Sequence, residues 1–132
     1  MLIILSVFFH SCTKDSGPIS VLPDPPLPND TVSFSNDVMV IMQIKCWFCH
    51  PTSGNLDLGL DSAYAQLVNV ETTSYAPEKR IVPFDTASSV LYQKIMGDQD
   101  YGVRMPPGNS ATLTQEEIEI FGKWIMQGAQ NN

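Results

Sequence analysis

Apolar residues recur at helical spacing in four stretches of this chain and alternate with polar ones nowhere for long. Val38, Ile41 and Met42 share one face of a first helix that Ser33 or Ser35 caps and that runs directly into residue 46. Asp61 or Ser62 opens a short second helix through Tyr64 and Leu67. A third follows Thr86, carries Val90, Leu91 and Ile95, and meets its stop at Gly97. The last begins at Thr114, which forms a capping box with Glu117, and runs through Trp124 and Met126 to Gly128.

In that last helix Ile118, Phe121, Trp124 and Ile125 fall on one face, with Gly122 beside it. A glycine inside a helix costs about 1 kcal/mol relative to alanine, so Gly122 predicts a close crossing, here with the first helix. Leu56, Leu58 and Leu60 alternate with Asp57 and Gly59, which allows one short extended piece. There is no internal repeat, and Pro, Gly and Asn gather in loops at 51–55 and 106–109. The pattern predicts an all-α fold with long loops wrapped around something.

A length of 132 residues predicts one domain, and the first third differs so much from the rest that the folded unit is residues 32–132. Residues 1–9 are apolar and uncharged but too few to span a bilayer, so 1–11 reads as the hydrophobic part of a secretory signal peptide. A basic leader is missing, which points to a start upstream. The run His10-Ser11-Cys12 resembles a lipoprotein processing site, in which Cys12 becomes the lipidated first residue. By the same resemblance, Thr13 in place of an aspartate implies an outer-membrane destination. Five prolines between 16 and 30 fix φ and remove amide donors, so 12–31 reads as a lipidated N-terminus and extended linker holding the domain off the membrane.

The densest chemistry is the run Cys46-Trp47-Phe48-Cys49-His50. Two cysteines three apart can add through their thiols to the two vinyl groups of a haem, and the histidine that follows is then placed to coordinate the iron. Such a large apolar cofactor would supply hydrophobic contact that a small bundle lacks on its own.

The opposite face of an iron held by His50 needs a partner. The second histidine, His10, lies in the exported leader, so the mature chain turns to methionine. Met39 and Met42 sit on the helix entering the motif, too near in sequence to cross to the far face. Met126 lies near the C-terminus. Met96, beside Leu91, Tyr92 and Ile95, reads as core filler. Met105 stands in Arg104-Met105-Pro106-Pro107-Gly108, where two prolines stiffen the backbone and can hold its sulfur in place, so Met105 is the expected distal ligand. A filled coordination sphere points to electron transfer.

The formal charge is −7, from 14 Asp and Glu against 7 Lys and Arg with no basic run. That balance excludes a nucleic-acid surface, which must neutralise phosphates, and fits steering toward a redox donor and acceptor with basic docking surfaces. A plain acidic, soluble surface is the other reading.

Together these residues resemble the class I cytochrome c family, and more narrowly its planctomycete-type small domains. The resemblance covers 32–131. It rests most specifically on the haem motif and Met105-Pro106-Pro107-Gly108, and more weakly on Gly54-Asn55-Leu56-Asp57-Leu58, Ser89 to Ile95 and Leu113 to Ile118. It implies a helical fold around one covalent haem c, with Cys46 and Cys49 as thioethers, His50 as proximal ligand and Met105 as distal ligand. The chain departs from the family at Pro83-Phe84-Asp85, where relatives commonly carry Pro-Gly-Asp, and in the bulk of Trp47 and Phe48. Arg104 is a possible propionate contact, and Tyr64, Tyr92 or Trp124 possible pocket lining, against ordinary surface and core roles.

Three other readings stand beside this one. A zinc site would need a fourth ligand beyond Cys46, Cys49 and His50. A thiol-disulfide oxidoreductase would use the Cys46–Cys49 pair but usually sits on a βαβ framework. A haem with a labile Met105 would open a position for a small gas or peroxide, giving a sensor or weak peroxidase.

Overall fold

A computed structural model describes residues 30–51, 53–108 and 112–132. The predicted signal peptide, the lipidation site Cys12 and nearly all of the proline-rich linker lie outside the described residues. No helix among the described residues is long and apolar enough to cross a membrane.

The described chain is helical, with four α-helices: α1 (Met39–Lys45), α2 (Ala63–Leu67), α3 (Val90–Met96) and α4 (Gln115–Met126). A wide helical turn, Phe34–Val38, feeds α1 without a break. Of the two candidate caps it is Ser33 that works: its hydroxyl accepts from the Asn36 amide, while Asp37 accepts from the Ser33 amide at 2.8 Å. Thr114 and Glu117 form both halves of the predicted capping box on α4, and Gly97 ends α3 in the left-handed conformation at φ +84°. Ser62 stands before α2, but its hydroxyl donates to the Gly59 carbonyl and caps nothing.

The core forms where the first and last helical segments meet. Phe34 stacks on Trp124 with centroids 5.2 Å apart, and Tyr64 of α2 meets Phe34 edge-on at the same separation. Val38, Met42, Leu67, Phe121, Trp124 and Ile125 are almost wholly buried, each contributing about 1.5–3 kcal/mol of transfer free energy. The buried indole and phenol are satisfied by the C-terminal segment, Trp124 donating to Gln130 and Tyr64 to Ala129, both at 2.9 Å.

Four expectations need correction. Gly122 does accept a close neighbour, but from α3: a Cβ there would lie 3.1 Å from the Tyr92 hydroxyl, while the first helix crosses at Trp124. Leu56 to Leu60 pairs with nothing as a strand. The isolated bridges among the described residues fall instead between Val68 and Ile81, Glu71 and Lys79, Lys79 and Ser89, and Val82 and Asp85, where the chain doubles back. Met96, the last residue of α3, is 52% exposed rather than core filler. Tyr64, Tyr92 and Trp124 serve the core and line no cofactor-sized cavity.

Candidate functional site

The first helix ends at the cysteine motif. The amides of Cys46 and Trp47 both donate to the Met42 carbonyl, at 2.9 and 2.8 Å, and those of Cys49 and His50 both donate to the Cys46 carbonyl at 3.1 Å. The motif therefore coils into one tight turn. Cys46, Cys49 and His50 line the same cavity of ≈ 410 Å³, while the intervening Trp47 and Phe48 are exposed. A volume of that order suits a sizeable organic ligand.

His50 is oriented by its own loop. Its Nδ1 lies 2.7 Å from the Ser53 carbonyl oxygen, which can only accept. Nδ1 therefore carries the proton and Nε2 keeps its lone pair, the tautomer a metal ligand needs. Gly54 makes the return possible, at φ +67° with its Cα side open to the imidazole.

Met105, remote in sequence, lines the same cavity together with Pro106 and Pro107. Its amide donates to the Lys94 carbonyl at 2.9 Å, which pins the loop to the end of α3. Arg104 adds to that clamp: its Nε donates to the Ile95 carbonyl at 2.9 Å and its methylenes pack over Gly97. Arg104 is exposed and is not among the residues lining the cavity. Met42 lines it as well, fully buried in α1.

Most of the remaining wall is apolar, from Leu58, Leu67, Ile95 and Phe121. Polar groups come from Lys94 of α3 and, in a stretch to which the sequence drew no attention, from Tyr75 and Arg80. Arg80 is 9% exposed, and its guanidinium donates to the carbonyls of Gln66 at 2.8 Å and Asn55 at 3.0 Å. No periodicity or motif marks Arg80. The nearest signal is its place beside Ile81 in the doubling-back segment.

Burial, reinforced by Glu117 and Cys49 and opposed by Lys45, pushes the Cys46 thiol up to about 11. It is then protonated at neutral pH and a weak nucleophile for disulfide exchange, whose attacking cysteines have lowered values. Cys46 and Cys49 are both free thiols. Among the described residues no three His, Cys, Asp or Glu side chains gather as a metal-binding group.

The donor set fits a haem c: two free thiols, one imidazole with a free Nε2 and one thioether sulfur around an apolar cavity. Comparison with known protein families, with curated proteins and with solved structures returned no match.

Proposed function

We propose that this chain is a c-type cytochrome domain that carries single electrons on one covalently held haem c, in a cytochrome c-like fold wrapped around that group. The observation that carries the reading is the convergence of Cys46, Cys49, His50 and Met105 on one largely apolar cavity. The haem would supply a one-electron iron couple.

The chain's residues have defined tasks. Cys46 and Cys49 hold the group through thioethers, each formed as an S–H adds across a vinyl bond. His50, fixed by Ser53, would hold the iron through Nε2, and Met105, pinned through Lys94, would hold it through its sulfur. Leu58, Leu67, Ile95 and Phe121 keep water away, which limits reorganisation when the charge changes. His50 and Met105 would both hold the iron and leave no position for a substrate, which supports a carrier and not an enzyme.

The domain works outside the cytoplasm, held to a membrane by lipid on Cys12, with its excess of acids steering it to basic faces of a redox donor and acceptor. A pyridine haemochrome spectrum combined with mass spectrometry of the exported protein tests all of this together. The expected result is one haem c per chain and a lipid-modified Cys12. Colourless protein whose mass is that of the bare chain plus lipid overturns the haem reading.

A further inference from the structure

The chain has twice as many acids as bases, yet its charges are distributed around the cavity in the opposite sense. Lys45, Arg80 and Lys94, three of its seven Lys and Arg, line the cavity, and no Asp or Glu among the described residues does. Lys45 faces Glu117 at 4.0 Å, but Arg80 and Lys94 form no ion pair among the described residues.

Arg80 is the sharper case, because it is the buried one. Two of its five N–H donors go to the backbone carbonyls of Gln66 and Asn55, and these dipoles orient the guanidinium without neutralising it. A buried charge without a counter-ion is costly, so such groups are ordinarily paired. Lys94, partly buried on the same cavity, spends its ammonium on the Tyr101 carbonyl at 2.6 Å and lies over the Tyr75 ring. No carboxylate among the described residues lines the cavity to answer these cations, and the Tyr75 hydroxyl donates to the Tyr101 carbonyl at 2.6 Å.

We infer that Arg80 is the counter-cation for a carboxylate carried by the cavity's ligand, with Lys94 as the second positive charge on that rim. This rests on the haem reading above, in which the carboxylate is a propionate, and it moves the propionate contact from Arg104 to Arg80. A guanidinium beside a carboxylate favours its ionised form, so the propionate stays charged to lower pH than an ordinary carboxyl. Protonating it as the pH falls adds positive charge near the iron, favours the reduced state and raises the midpoint potential.

The test compares the midpoint potential against pH for the haem-loaded full chain and its Arg80→Gln and Arg80→Lys variants. The wild type should stay flat to the acid side. In Arg80→Gln the acid rise should begin about one to three pH units higher, and Arg80→Lys should restore most of the wild-type profile. Superimposed profiles for wild type and Arg80→Gln overturn the proposal and leave the haem reading intact, whereas purified protein without haem overturns that reading instead. If Arg80→Gln accumulates no loaded protein, the wild type alone decides, by infrared titration of haem labelled with 13C at its propionate carboxyls. Titration below the ordinary carboxylate range supports Arg80, and titration within that range overturns it.

Discussion

The imidazole of His50 is held by the backbone carbonyl of Ser53, at 2.7 Å from Nδ1. The contact lies within one short loop, so the ring's direction and tautomer are set locally and do not wait on the packing of distant helices. That loop turns through Gly54 and Asn55, both in left-handed backbone at φ +67° and φ +51°.

Gly54→Ala separates the loop's backbone cost from the ring's position. A Cβ at 54 would sit 3.7 Å from His50 Cε1, an ordinary contact, so the ring is not displaced. The backbone cost is about 1 kcal/mol. Denaturant unfolding should show that loss with an unchanged slope, and the low-spin absorption spectrum should persist. A switch to a high-spin spectrum would mean that the loop cannot hold His50 once the glycine is gone.

Met105→Ala tests the distal position. The sulfur-to-iron absorption near the red end of the spectrum should vanish, the midpoint potential should fall, and the reduced protein should bind carbon monoxide at neutral pH. The wild type should bind it poorly, because Met105 is held from behind by the Lys94 carbonyl. Wild-type binding as avid as the variant's would favour a gas sensor or weak peroxidase over a carrier.

Phe84 and Gly128 form a coupled pair. Phe84 adopts φ +65°, a region for which glycine is the default residue, and its ring lies so close to Gly128 that a Cβ there would be 2.6 Å from Cζ. Gly128→Ala should cost about 3 kcal/mol, roughly 1 from left-handed alanine and roughly 2 from overpacking. In a Phe84→Gly background the overpacking part should disappear, leaving about 1 kcal/mol. Equal costs in both backgrounds would show that the ring swings aside freely.

The helices were legible because their signals are local. The apolar face of α4, its capping box and the glycine stop of α3 each lie within a few residues, and each is present as read. The cysteine motif and the Met-Pro-Pro loop were legible for the same reason. What lay beyond the sequence was non-local. Gly122 announces a close approach without saying that Tyr92 makes it, and nothing around Arg80 reveals that the chain doubles back from Ile81 to Val68 and buries that guanidinium on the cavity. Arg104 drew attention through its proximity to Met105, and what the fold adds is local: its Nε donates to the Ile95 carbonyl at the end of α3.

Asp85 gives the stability a predictable dependence on pH. Hydrogen bonds from Ser88, its side chain first and then its backbone amide at 3.0 Å, hold the Asp85 carboxyl below its ordinary value. In the unfolded chain the group returns to the ordinary value, so over the interval between the two the unfolded state binds more protons and stability rises with pH. The contribution is fully present above the ordinary carboxylate range and is lost as pH falls through the lowered folded value. Asp85→Asn should remove that part of the slope: wild type and variant converge at low pH and separate above it, with the wild type more stable. Parallel curves of denaturation midpoint against pH would mean that the Ser88 contact does not distinguish folded from unfolded protein.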